Sequence, residues 1–385
     1  MKSLLFTGII VVMTTSRIGA GLPENESQVD VDAYVRAIST ARSARSVSNN
    51  KEDLVDAIGS IEKLGLKPED AAFASCEYVR CRLLVRASSS HEVDDACFRR
   101  LLGSRAVAPE ALLGLLEINK GGRERRLALE ECFAQVLPIS IWRSRVDGSR
   151  IVVQADVNME PPCPFSPVLD RKMLIEVGKE FEQAGLYDQA WKAYIEAIYG
   201  GLAPSWIANP LIERAWFSSD SAELWAKVAD NAWKAGERQL AYEYLAKAVI
   251  FGPEAQLESA KQMLATWGKQ KEEEPEVSEE QRKEAVENIV TLYAKMNIHP
   301  RALELIQEHN ELFDNPDELY RKYASEWTAV VRAYRGWAQA VCLHGVNTSV
   351  FLYGVKVSEG DDPTSIRIPW ACSPDAIKAI LASEN

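Results

Sequence analysis

Seven cysteines and four histidines are the residues through which this 385-residue chain could do nucleophilic, redox or metal chemistry. The cysteines are Cys76, Cys81, Cys97, Cys132, Cys163, Cys342 and Cys372; the histidines are His91, His299, His309 and His344. No two cysteines stand at CxxC spacing, so neither a zinc ribbon nor a thioredoxin-like redox pair is expected. There is no HExxH, GxSxG, P-loop, strand-borne GxGxxG or EF-hand loop. Cys97 or Cys132 as a nucleophile would need a histidine delivered by the fold. His91 lies six residues from Cys97, a spacing that favours nothing. Cys76 and Cys81, five apart on one expected helix, are poorly placed to bridge each other. The odd cysteine count leaves at least one thiol outside any set of internal disulfides. Gly121-Gly122 reads as a turn, and Asp30, Asp32, Asp94 and Asp95 as helix-start or surface acids. The expectation is no catalytic constellation, no metal site and no cofactor.

If chemistry is absent, function must come from surface, and the elements that build it are legible. Ala222 to Pro253 reads AELWAKVADNAWKAGERQLAYEYLAKAVIFGP. Its first half carries Trp225, Val228, Ala229 and Ala232, its second Ala241, Tyr244, Leu245 and Ala248. Both sets have helical spacing and give one apolar face per helix. Gly236 sits where a tight helix-to-helix turn needs freedom from Cβ clash. Ala229 and Ala241 put small side chains where paired helices must approach, and Pro253 ends the second helix.

An upstream echo begins at Arg171, with Leu174, Val177, Gly178, Phe181, Gly185, Tyr187, Ala190, Tyr194 and Ala197 in the same frame. A weaker one starts at Lys283, where Ile289, Tyr293, Ala302 and Ile306 fit but Asn297 and His309 depart. Large, small and Pro residues at these offsets, over a period of roughly 34 residues, resemble the tetratricopeptide repeat. Ala232 and Arg238 depart from that family, which prefers aromatics there. Gly185 and Gly236 are 51 residues apart, so Ser205 to Ser221 is expected as an insertion or a short extra helix.

The resemblance implies an α-solenoid in which the first helix of each pair lines a concave groove that holds a protein or peptide partner. The groove positions it implies are Lys172, Ile175, Lys179 and Glu182 in one repeat, and Glu223, Ala226, Asp230, Trp233 and Lys234 in the next. Trp233 is the large apolar anchor candidate, set against the alternative that it packs under the following helix. The Lys/Asn/Arg clamp that some family members use for a C-terminal carboxylate is not matched.

The composition is that of a globular protein, 47% hydrophobic and 26% charged. A net charge of −12 argues against sequence-independent nucleic-acid binding and against anionic membrane surfaces. Lys2, the apolar run Leu4 to Met13 and Ala20 read as a secretory signal peptide. Its removal takes Lys2 and Arg17 and leaves −14. The apolar run is too short to span a bilayer. Asn25-Glu26-Ser27 is a glycosylation sequon of little specificity.

The expected fold is mainly α, a solenoid with small β-hairpin elements. Residues 1–20 form the signal, 21–137 a helical region and 138–157 a β-hairpin around Asp147-Gly148. Residues 158–168 form a Pro-rich linker and 169–345 the repeats with capping helices. The last region, 346–385, is a hairpin of Val350–Val357 with Ile366–Trp370, followed by a helix. Glu254 to Lys269 reads as a helix that caps the stack. Lys271 to Asn288, net −5, reads as a solvated acidic edge. The aromatic stripe Tyr320, Tyr323, Trp327, Tyr334 and Trp337 reads as packing. The functional expectation is an exported interaction or scaffold module without a membrane span after signal cleavage. The alternative is an enzyme with its site in the β-containing modules and repeats that recruit substrate.

Overall fold

The structure, a computed structural model, describes residues 29–88, 96–118, 171–199, 219–268, 277–296, 298–327 and 329, and the strand residues 350–352 and 355–357. It is mainly helical. The signal-like segment, the 138–157 hairpin, the Pro-rich linker and the last helix lie outside the described residues, as do all cysteines beyond Cys97.

The N-terminal helices are α1 (Val31–Arg45), α2 (Lys51–Glu62), α3 (Phe73–Ala87), the single turn α4 (Ala96–Arg99) and α5 (Ala108–Ile118). Asp30 starts α1 by accepting from the Ala33 amide at 3.0 Å, and Asn50 caps α2. The first expected repeat spans α6 (Arg171–Gln183) and α7 (Tyr187–Tyr199), the second α8 (Ser219–Lys234) and α9 (Arg238–Phe251). Gly185 and Gly236 turn each pair at φ of +70° and +83°, a conformation that favours glycine. There follow α10 (Ala255–Trp267), α11 (Glu279–Lys295), α12 (His299–Glu308) and a helix over 316–327. Ser278 and Gln281 form a capping box at the head of α11.

The small residues do what their spacing promises. Ala190, Ala229 and Ala241 are fully buried. Gly178 lies so close under Tyr194 that an added Cβ would stand 2.6 Å from the ring. Within each pair the helices therefore meet at short range, and α7 then packs against α8.

Spatial order differs from chain order. α11 packs along α6, so the 279–308 hairpin precedes the first repeat in space while following the second in sequence. At the other end α10 lies against α8, and α1 lies against α9. One row thus runs α11, α6, α8, α10, and a second runs α12, α7, α9, α1. Arg301 of α12 reaches Glu196 of α7 with two contacts of 2.6 Å. Arg42 donates to the carbonyls of Val249 and Gly252, and Arg45 to those of Ile250 and Phe251. Two cationic side chains so satisfy the exposed acceptors and the negative dipole end of α9.

The middle of the second row, α9 and most of α7, is buried. Every residue of α9 from Tyr244 to Phe251 is inaccessible, including Lys247, because α1, α3 and α5 cover the side that an open solenoid would leave to solvent. The first row keeps one polar, half-exposed face.

Of the expected hairpin of Val350–Val357 with Ile366–Trp370, the second segment lies outside the described residues. Within the first of these segments, Val350–Leu352 pairs antiparallel with Val355–Val357, in the register Val350 to Val357.

Candidate partner groove

The half-exposed face of the first row is tied together by carboxylates that each accept from the next helix. Asn288 of α11 donates to Glu180 of α6 at 3.3 Å. Asn231 of α8 donates to Glu182 Oε1 at 2.5 Å, and Lys227 meets Glu182 Oε2 at 3.0 Å. The indole N–H of Trp267, in α10, donates to Asp230 of α8 at 3.2 Å. Glu180, Glu182 and Asp230 therefore mark the three seams of the row.

The central seam is the richest. Tyr194 rises from α7 beside Gly178 and donates its hydroxyl to Glu182 at 2.7 Å. The Lys227 ammonium sits 5.1 Å from the Tyr194 ring centre and 3.4 Å from its hydroxyl. Burial raises the Tyr194 phenol, and the Glu182 charge raises it further, so the group stays a donor. Asn231 also donates to the Lys227 carbonyl at 2.9 Å, while its own Oδ1 is buried without a partner. Lys227 remains 42% exposed and Glu182 24%, so both are reachable from solvent.

The expected groove residues fall into three groups. Lys172 and Glu223 are exposed on the first row, and Ile175 and Ala226 pack partly into the core. Lys179 pairs with Glu176 on its own helix at 2.7 Å, and Glu182 joins the central cluster. Asp230 pairs with Lys234 at 2.7 Å, and Lys234 lies over the Tyr187 ring. Burial works against the Lys234 charge, but the Asp230 hydrogen bond and charge outweigh it and raise the ammonium.

Trp233 is held by aromatic neighbours. It stacks on Trp267 with centroids 4.7 Å apart and planes 4° from parallel, edge-on to Tyr242, with the Arg238 guanidinium over its ring. Trp233 thus packs against α9 and α10 while staying half-buried. The residues the sequence missed are Lys227, Asn231 and Tyr194. The first two lie one helical position after the family's groove positions, and Tyr194 was legible only as a packing aromatic.

No family model, no curated protein and no solved structure matches the chain. The groove must therefore be read from its own geometry. Among the described residues no group of three His, Cys, Asp or Glu side chains can hold a metal ion. Among them, too, no helix is long and apolar enough to cross a membrane. An open cleft of about 360 Å³ lies elsewhere, between α1 and α10. Val31, Val35 and Leu264 line it, with Asp32 and Lys261 as its charges. Those two charges converge on no common point that the contacts define, which leaves the central seam as the better candidate site.

Proposed function

We propose that the chain is an interaction module of tetratricopeptide type that holds a protein or peptide partner across α6 and α8. One observation supports this above others. α9 is covered on its outer side by α1, α3 and α5, while the first row keeps Glu182 and Lys227 half-exposed and pre-positioned by Tyr194 and Asn231. Side chains already held in place lose less entropy when a partner arrives. The mixed charge of the row suits hydrogen bonding to an extended segment more than burial of an apolar one.

Export is part of the same proposal and rests on Lys2, the Leu4–Met13 run and Ala20. Mass spectrometry of the protein from its native host tests it, and a mature N-terminus just after Ala20 is expected. For the groove, a photo-crosslinking residue at position 227 should give a discrete adduct in the native host. The same probe at position 192, on α7, should give none. Equal adducts from both, or none from 227, would remove the groove reading.

A further inference from the structure

The 316–327 helix meets α12 through two rings that share one face. Tyr323 and Trp327 stand four apart, so they lie one above the other on their helix. Both are buried, and they close over the buried imidazole of His299. The Trp327 ring stacks on it with centroids 5.9 Å apart and planes 26° from parallel, and the Tyr323 ring lies at 6.4 Å. Glu326, half-exposed at the border of the same face, brings a carboxylate oxygen to 3.4 Å from His299 Nε2. The other ring nitrogen, Nδ1, is buried without a hydrogen-bond partner. His299 is also the first residue of α12, where Ile298 supplies no side-chain cap.

This seat suits a neutral ring and opposes a charged one. A neutral imidazole carries one N–H and one bare nitrogen. With the proton on Nε2, the donor faces Glu326 and the bare Nδ1 sits among apolar neighbours. An imidazolium donates from both nitrogens. Protonation therefore puts a buried N–H at Nδ1 with no acceptor among the described residues. It also sets a positive charge at the positive end of the α12 dipole. We propose that His299 is an acid-sensitive latch: neutral, it seats the 316–327 helix on α12, and protonation releases that helix while α6 to α9 stay folded. Glu326 is the charge that opposes release, because it favours the imidazolium. The other charges on the surrounding elements are engaged elsewhere. Arg301, two residues on in α12, is held by Glu196 of α7 at 2.6 Å and meets the Tyr293 hydroxyl of α11 at 3.5 Å. Glu304 of α12 lies within the field of Arg301 and Glu308. Lys322 of the docked helix sits 5.0 Å from the Tyr323 ring centre. Burial lowers the His299 imidazole from its ordinary 6.5, against the pull of Glu326. The docked state thus binds a proton less readily than the released one. Docking is complete above pH 6.5 and is lost as pH falls from there through the docked value.

The test is amide hydrogen exchange of the full chain between about pH 7.5 and about pH 5, corrected for the intrinsic pH dependence of exchange. Below pH 6.5 the opening constant of the 316–327 helix should rise by up to about tenfold per pH unit, while α6 to α9 keep their protection. In His299→Phe, which keeps a ring under Trp327 and takes up no proton, the rise should vanish. In Glu326→Gln no carboxylate opposes release, so the rise should grow and extend to lower pH; loss of a merely structural contact would leave the pH profile unmoved. His309→Gln, at the other end of α12, should leave the rise unchanged. If His299→Phe fails to fold, Glu326→Gln decides. The latch would be overturned by an opening constant flat across the range, or by a rise that survives His299→Phe or is lost in His309→Gln. An unmoved profile in Glu326→Gln, or protection lost from α6 to α9 at the same pH, would overturn it equally.

Discussion

Two clusters in this molecule are made from the same parts and differ in where they sit. In the groove, Glu182, Lys227 and the Tyr194 hydroxyl meet, with the ammonium over the tyrosine ring. In the core, Glu110 of α5, Lys247 of α9 and the Tyr199 hydroxyl of α7 do the same. There the Lys247 ammonium lies 2.7 Å from Glu110 and 3.8 Å from the centre of the Trp225 ring. The groove pair is 42% and 24% exposed, whereas each core partner is 1% exposed. Water solvates the first pair, so its net contribution is small and its members can exchange partners. The second pair has given up its hydration, so each charge depends on the other. Burial pushes the Glu110 carboxyl up and the Lys247 ammonium down, although each pulls the other back. The same chemistry thus makes a solvated surface cluster in one place and a docking key in the other. The key joins the N-terminal helices to the second row, since Lys247 also donates to the Ala106 carbonyl at 2.7 Å.

The largest break in this comparison should come from Lys247→Ala. It strands Glu110, whose second oxygen already lacks a partner. A loss of about 3–5 kcal/mol is expected in urea unfolding. A loss below about 1 kcal/mol would mean that the core cluster is as solvated as the groove.

Pairing Lys247→Met with Glu110→Leu should return that loss and leave a chain equal to or more stable than the wild type, by up to about 4 kcal/mol. A double variant no better than the single would show that the ions are needed for more than each other.

Gly178→Ala should cost about 1–3 kcal/mol, because the new methyl group meets the Tyr194 ring. It should also disturb Glu182, which a groove-directed crosslink would report. An unchanged crosslink with a large stability loss would separate packing from recognition.

The fourth expectation concerns pH. Burial raises the folded carboxyl of Glu110 above its ordinary value of 4.5. A raised carboxyl binds protons in the folded state more readily than in the unfolded one. Stability is therefore lost as pH rises from 4.5 through the folded value. In Lys247→Ala no ammonium opposes this, so its deficit should shrink on acidification from neutrality toward pH 4.5. Urea midpoints across that range check the sign, and a deficit that grows on acidification would contradict it.

The smallest effect should come from Lys227→Gln, within about 1 kcal/mol of wild type in stability. Partner crosslinking from a neighbouring groove position should nonetheless fall. Stability loss comparable to that of Lys247→Ala would erase the distinction between the two clusters.

Local features were legible in the chain, and distant ones were not. Gly185 and Gly236 announce their turns because few other residues accept that backbone. Gly178, Ala190, Ala229 and Ala241 announce close helix pairs because a larger side chain would keep the helices apart. The helix at 279–295 and its partner at 299–308 emerged from the weaker echo, but their place beside α6 did not, since periodicity carries no information about which layer a hairpin joins. Lys247 shows the same boundary. Flanked by Ala246 and Ala248, it reads as an ordinary helix lysine, and it is buried by Glu110, 137 residues away in sequence. Trp233 could be read two ways because its cover, Trp267, belongs to a different element.

The grip of Arg42 and Arg45 on the end of α9 spans more than 200 residues of chain. During synthesis the first helix emerges long before its seat at Val249–Gly252 exists. It must wait, unseated, while both repeats are made, and the 31–45 segment can dock only after position 252 has cleared the ribosome. Contacts of such long range slow folding and leave apolar faces uncovered meanwhile. The apolar face of α1 therefore stays uncovered for the whole interval between its own synthesis and that of α9.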